Sequence, residues 1–466
     1  MTARHRLAVV FLAALAFSAA GAPREPQGLF SSYDVISLRL TGPFNDLFQR
    51  ARANPDYTVT GTLAYGGSGR EPTIDGVTIG VRGHTSLRES ECTFPKLKVQ
   101  LPPGAALDAS PFAGLSSLKI GTHCGESAGG TLTAKYGRLP NEQAPHREAF
   151  VYRLLDAVGV PSFKARPARI GYVYTDGRAG DAAEAQVPIV RNAMLLENTE
   201  AAMKRIGGTS EVTEAEFTTA AERFSTADTA ALTFAEAMTG NFDWCLKMTA
   251  RDAYRCNARH PLWNVAAFTM SDGTRARPLL YDFDVAGMVA GRHHWFKDVY
   301  SEAFVPSRSH TEIEVLGQLQ RTRTLFSRKD LDATRARFMQ KKADAYRALA
   351  AATVDAAGKG RIQEHLDSFF AAIASNESFY RPVVVAREAF PFADASRTSR
   401  VCADRGPIPI GTPVSDPLQK SGQMMQVVLL DTQWHWAPPV KCPTIHTDAV
   451  WIDARAVSRD FPPASQ

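Results

Sequence analysis

The chain has 466 residues, 44% of them hydrophobic, which suffices for two or three domains with sizeable cores and excludes global disorder. Its formal net charge of +5 is small for this length. No dense Lys/Arg run is present, so the electrostatic footprint of a nucleic-acid binder is missing.

Chain order begins with Arg4 and Arg6 ahead of an apolar run from Leu7 to Ala20, followed by small residues. This is the grammar of a secretory signal peptide over residues 1–22, and it predicts a secreted or periplasmic protein. No later apolar stretch reaches the roughly 18 residues of a spanning helix, so the processed chain is expected not to cross a membrane. Six cysteines remain, Cys92, Cys124, Cys245, Cys256, Cys402 and Cys442. In an oxidising compartment they are expected to pair as sequence neighbours, although sequence alone leaves the pairing open. Zinc is disfavoured because no CxxC pair occurs.

Residues 23–60 read as a polar lead-in. Three short strand-like runs follow, "DGVTIGVRG" (75–83), "FPKLKVQLP" (94–102) and "LSSLKIGTH" (115–123), each bounded by Gly or Pro. As an antiparallel meander, the second and third would place Cys92 beside Cys124. "PHREAFVYRLLDAVG" (145–159) is a helix, with Pro145 in its first turn and Gly159 at its stop. Strands follow over 165–175 and 185–195. From Thr213 the chain is expected to turn helical, because Thr213 and Glu216 form a capping box. A second helix, 228–239, ends at Gly240, and residues 311–375 are largely helical. Residues 397–460 change to Pro/Gly-rich short strands and read as a small β module.

The chemistry concentrates late in the chain. "RPLLYDFDVAG" (277–287) sets Asp282 and Asp284 in an apolar run, where a bare carboxylate is costly unless paired or metal-bound. Upstream, Asn264 opens a strand-like run, and Asp272-Gly273 is a hairpin signal. A hairpin brings its open ends to about 5 Å across the ladder, placing Asn264 beside Asp282. An amide oxygen and a carboxylate are hard ligands suited to Mg²⁺. Asp243 lies earlier, after the helix that stops at Gly240. An acid, an Asn, a hairpin and an Asp follow the order of a protein-kinase C-lobe, where the acid serves the acceptor hydroxyl and the other two hold metal. In the same plan a strand lysine meets phosphates and pairs with a helix Glu. Lys119 and Glu148 fall at those places, with Lys96 as the competing lysine.

On "RGHTS" (82–86), "FPKLKV" (94–99), "HREAFVYRLLDAVGVP" (146–161), "GNFDW" (240–244), "WN" (263–264) and "YDFD" (281–284), the chain resembles the CotH-type (spore coat protein H-like) atypical kinases over roughly residues 75–380. The resemblance implies an α+β, kinase-like two-lobe fold, with a β-rich N-lobe (23–200) and a helical C-lobe (201–385). It implies ATP-dependent phosphoryl transfer to a protein hydroxyl with Mg²⁺. Carried over by position, Asp243 is the catalytic acid, Asn264 and Asp282 are metal ligands assisted by Asp284, and Arg82, Lys96 or Lys119, and Glu148 serve ATP. The module at 397–460 loosely resembles SH3-like domains and suggests a cell-envelope ligand. A non-catalytic envelope protein keeping the same fold is the alternative, because the long Asp243–Asn264 interval with Cys245 and Cys256 could obstruct an acceptor. A metal-dependent hydrolase using the same carboxylates is the third reading.

Bland roles compete at several positions. Adjacent His293 and His294 point apart and suit a surface better than a metal site. Trp434 and Trp436 are expected to divide between the small module's core and its surface.

Overall fold

The computed structural model describes residues 28–460, apart from 67–70, 84, 90–91, 125–141, 177–187, 249–260, 274, 291–308, 324, 381–383, 402, 404–405, 409, 411, 413 and 430–448. The predicted signal peptide, Cys256, Cys402, Cys442, His293, His294, Trp434 and Trp436 lie outside the described residues. The protein is mixed α+β.

The first half is a seven-stranded sheet. It opens with β1 (Ile36–Gly42), α1 (Phe44–Ala51), β2 (Thr58–Tyr65) and β3 (Thr73–Val81). It continues with β4 (Leu97–Gln100), the short α2 (Ala105–Asp108), β5 (Ser117–Gly121), α3 (Ala144–Val158), β6 (Ala165–Tyr174) and β7 (Ile189–Leu196). The order is β1-β2-β3-β4-β5-β7-β6, and β6 also pairs β1 in parallel, Ile36 opposite Ala168. The β3-β4-β5 meander matches the expectation, with Ile79 opposite Val99 and Val99 opposite Leu118.

The "polar lead-in" is instead structured. Leu38 and Leu40 alternate inward from β1, and Phe44 and Leu47 of α1 are fully buried. Alternation at period two was present in "ISLRL", and burial of those side chains orders the segment.

Helix α3 ends at Gly159, whose φ of 72° is the left-handed stop that glycine takes without a Cβ penalty. The helix packs on β6 and β7 on one side and on C-terminal helices on the other, so it is buried almost all round. Its core cluster is shared with the helical half, whereas the sheet encloses a separate apolar core.

The helical half follows: α4 (Thr199–Ile206), β8 (Gly208–Glu211), α5 (Ala220–Arg223), α6 (Thr226–Thr239), β9 (Cys245–Leu246), β10 (Leu262–Trp263), β11 (Val265–Met270), β12 (Ala276–Leu280) and α7 (Gly287–Ala290). Then come α8 (His310–Thr322), α9 (Arg328–Gln340), α10 (Lys342–Ala350), α11 (Ala356–Ile373) and α12 (Asn376–Tyr380). Glu216 reaches back as expected, with Thr213 N donating to its Oε2 at 3.2 Å, but Thr213 Oγ1 donates to the same carboxylate instead of capping Glu216 N, and the pair closes a turn rather than starting a helix. The next helix waits until Ala220, because Phe217 turns inward to pack on Phe224. No helix among the described residues is long and apolar enough to cross a membrane.

The C-terminal part has β13 (Val384–Val385), β14 (Gln419–Ser421), β15 (Met424–Val427), β16 (Val450–Asp453) and β17 (Val457–Ser458). β14-β15-β16 form an antiparallel sheet, and β13 pairs β17. Its own small core runs from Val385 and Ala389 to Ile452 and Ala456, so it draws in residues before 397. Trp451 lies in β16, its backbone paired with Phe392.

Candidate functional site

The hairpin that holds the candidate acids forms as its turn chemistry requires. Gly273 adopts φ 69°, Met270 N donates to Arg275 O at 2.8 Å, and Asp272 Oδ1 accepts from Arg275 N at 3.2 Å. The ladder pairs Val265 with Leu280, and Tyr281 N reaches Asn264 O at 3.3 Å. Asn264 therefore faces Tyr281 in register, and Asp282 lies one residue beyond. Both Asn264 and Asp282 take positive φ, 55° and 64°. Such a conformation costs a non-glycine residue on the order of 1 kcal/mol, and Asn and Asp tolerate it best. The strain sits at the open end of the hairpin, where both side chains leave the regular faces of the ladder.

Asp243 and Asn264 meet despite the long interval between them. A two-residue ladder, Cys245 opposite Trp263 and Leu246 opposite Leu262, closes the base of the insertion. Asn264 Nδ2 then donates to Asp243 O at 2.5 Å and lies 3.3 Å from Asp243 Oδ2. Trp263 Nε1 donates to Asp243 Oδ1 at 3.3 Å. Cys245 is disulfide-bonded, and its expected partner Cys256 falls outside the described residues.

From the sheet side, the residue that reaches the acids is Lys96, just before β4. Lys96 Nζ is 2.8 Å from Asp282 Oδ1 and 3.0 Å from Asp284 Oδ2. These are short, charge-assisted bonds, and the lysine side chain is only 10% exposed. Lys119, the first-choice lysine of the sequence, goes elsewhere. Its Nζ donates to Thr199 Oγ1 at 2.9 Å and sits 5.1 Å from the Phe163 ring centroid. Burial, aided by Arg82, lowers its pKa to about 8. The physical reason is position along the ladder. Lys119 pairs with Lys98, so it shares a sheet face with Lys96 but stands two residues farther along β4.

Glu148 on α3 is buried beneath this group. Burial is the largest influence on it and raises its pKa to about 7; Lys96 opposes that shift, while Asp284 and Asp282 add to it. Tyr152, one turn after Glu148, accepts a hydrogen bond from Asp282 N at 3.0 Å through its hydroxyl. Arg82 is half-buried in the Arg-Gly turn, its N–H donating to Lys96 O at 2.8 Å. Gly83 takes φ 87°, and a Cβ there would come within 2.7 Å of Ser86 Oγ. The turn is pinned from the far side by the Cys92–Cys124 disulfide, with Phe94 N bonded to Cys124 O at 3.0 Å.

Arg82, Lys96, Glu148, Asp282 and Asp284 thus gather at one locus, Asp243 and Asn264 sit beside it at the hairpin mouth, and Lys119 stands off. Sequence reasoning assigns no role to Tyr152 or to Trp263 of the "WN" pair. The signals were there: Tyr152 is at i+4 from Glu148, and Trp263 immediately precedes Asn264.

Among the described residues no three His, Cys, Asp or Glu side chains form a metal cage. The donor chemistry still suits Mg²⁺, which is commonly held by one or two carboxylates plus substrate phosphates. A groove of about 670 Å³ lined by Tyr33, Arg153, Asp156 and Arg347 shares no residue with the acid group. Its charged groups, Lys96, Asp282, Asp284 and Glu148, mark the candidate site.

No family model and no curated protein matches the chain. Among solved structures it is similar to that of a Helicobacter pylori proinflammatory kinase, CtkA, at 9% identity and a TM-score of 0.31, covering 60% of this chain and 94% of that one.

Proposed function

We propose that the chain is an exported, kinase-like phosphotransferase that moves the γ-phosphoryl group of ATP to a protein hydroxyl. One observation carries this reading. A single buried ammonium from the sheet bridges two carboxylates from the helical half, above a buried helix Glu. A cation held by two acids across a junction is a poor stability device, because both partners must be desolvated. It is a good phosphate device, because the same charges can exchange partners when a metal-nucleotide enters.

In this reading Asp282 and Asp284 hold Mg²⁺ with Asn264, and Lys96 turns from the acids toward phosphate oxygens. The metal supplies charge neutralisation between phosphates when bound. Glu148, freed from facing two bare acids, receives Lys96 as an ion-pair partner. Asp243, fixed through its carbonyl by Asn264 and through its carboxylate by Trp263, orients the acceptor hydroxyl and takes its proton. Arg82 adds positive charge at the phosphate end. The apolar run 7–20 supports export. The antiparallel β14-β15-β16 sheet with its own core supports an SH3-like ligand-binding role for the C-terminal part.

The test uses the processed chain with γ-labelled ATP, Mg²⁺ and a mixed protein acceptor. Label transfer that disappears in Asp243→Asn and Asp282→Asn supports the proposal. Phosphate release without transfer would point to a hydrolase. Neither transfer nor release, together with Mg·ATP giving no thermal protection, would leave a non-catalytic binding protein.

A further inference from the structure

Arg147 precedes Glu148 on α3, and its side chain is 5% exposed. Its Nε and Nη2 each lie 2.8 Å from one carboxylate oxygen of Asp355, a planar two-point fit. Its Nη1 donates to Val289 O at 3.3 Å. Val289 belongs to α7, the turn of helix that follows Asp282 and Asp284. Asp355 is itself fixed: it caps α11, its Oδ2 accepting from Gly358 N at 3.2 Å. There is no slack at that cap. A Cβ on Gly358 would stand 2.7 Å from Asp355 Oδ1 and 2.9 Å from Arg147 Nε.

One guanidinium therefore ties three elements, the helix bearing Glu148, the segment leaving the acid pair, and the start of α11. Consecutive helix positions differ by about 100° in direction, so the same half-turn of α3 sends an acid toward Lys96 and a cation toward α11. Sliding or rotating α3 would stretch the fork and move Glu148 together. An arginine is suited to this task and a lysine is not, because only the fork can bond a carboxylate twice and still reach a carbonyl.

We infer that Arg147 and Asp355 are positioning residues that set the placement of Glu148 against Asp282 and Asp284. The inference rests on the phosphoryl-transfer reading only for its activity readout. The experiment compares wild type with Asp355→Asn, Arg147→Met and Arg147→Lys on the processed chain, measuring turnover with Mg·ATP and amide hydrogen exchange. Asp355→Asn and Arg147→Met are expected to lower kcat at least tenfold with KM for Mg·ATP little changed. Arg147→Lys, which keeps the charge but not the fork, is expected to recover part of the loss. Exchange should rise most over 144–150 and 285–290, beyond the general rise that the lower melting temperature of a broken buried ion pair brings elsewhere. If exchange rises evenly through the helical half as the melting temperature falls, the pair is a structural cross-link and the inference is overturned. Unchanged exchange over both segments also overturns it. Absent turnover in wild type sinks the phosphotransferase reading alone, and the exchange pattern then decides the positioning role.

Discussion

Lys96 Nζ stands 2.8 Å from Asp282 Oδ1 although 186 residues separate them in the chain. That contact joins the sheet to the hairpin mouth, and it has a direct consequence for metal binding. The Lys96 ammonium is held by both acids. Lys96→Met removes it and leaves Asp282, Asp284 and buried Glu148 facing one another. Mg²⁺ alone should then raise the melting temperature more in the variant than in wild type, because Lys96 no longer competes for the carboxylates. Phosphoryl transfer should fall by about 10²–10³-fold, the usual loss when one preorganised charge is deleted. Equal Mg²⁺ responses in the two proteins would argue that the acids do not bind the ion.

Lys119 gives the opposite outcome. Burial holds its pKa at about 8, against 10.5 for an ordinary lysine. Between about pH 8 and pH 10.5 the unfolded chain therefore carries more protons than the folded one, and stability rises with pH across that window. Lys119→Met should flatten this rise. At neutral pH it should stabilise the protein by about 1–3 kcal/mol, the desolvation cost relieved less the bond to Thr199. Turnover should survive, unlike in the Lys96 variant. Urea titrations at pH 7 and pH 9.5 measure both effects, and a Lys119→Met protein that is less stable at pH 7 contradicts the account.

The two lysines also show where sequence reasoning runs out. The meander, α3, the Asp272-Gly273 hairpin and the Cys92–Cys124 pairing were all legible, because each depends on local alternation, caps or turn residues. The choice between Lys96 and Lys119 was not. They share a sheet face, and only their distance along the ladder relative to a hairpin far away in sequence separates them. β1 was readable from Ile36, Leu38 and Leu40, whose alternation with Ser37 and Arg39 is itself the strand period. Arg147 was hidden differently. Its neighbours on α3 advertise an apolar face, and its partner Asp355 lies beyond the hairpin, so no local pattern marks the pair.

The disulfide should matter chiefly to the sheet. Cys92 and Cys124 close a loop of 32 residues, with Cα atoms 4.6 Å apart. In the chain-entropy model such a loop is worth about 4 kcal/mol. A Cys92→Ser/Cys124→Ser protein should lose about that much stability in denaturant titration. Its Arg82–Lys96 turn should also loosen, because the bridge anchors the segment leading to Lys96. The readout is hydrogen exchange over 82–100, and protection equal to wild type there would count against that anchoring role.

Helix α11 offers a paired test of how tightly Arg147 and Asp355 are packed. Gly358 and Gly360 both lie in its first turns. A Cβ on Gly360 meets nothing within 4 Å. Gly360→Ala should therefore stabilise the protein by about 0.5–1 kcal/mol, the ordinary gain of replacing glycine inside a helix. Gly358→Ala has the same intrinsic gain but must push aside Asp355 Oδ1 at 2.7 Å and Arg147 Nε at 2.9 Å. Neither group can yield cheaply: the carboxylate is held by two arginine bonds and a backbone N–H, and the guanidinium is buried. Overpacking of this kind costs about 1–3 kcal/mol, so the net change should be destabilising. The two substitutions differ only in what their methyl groups touch, and opposite signs in a thermal melt are the expected result. Equal stabilisation by both would mean that the fork at the start of α11 can move without penalty.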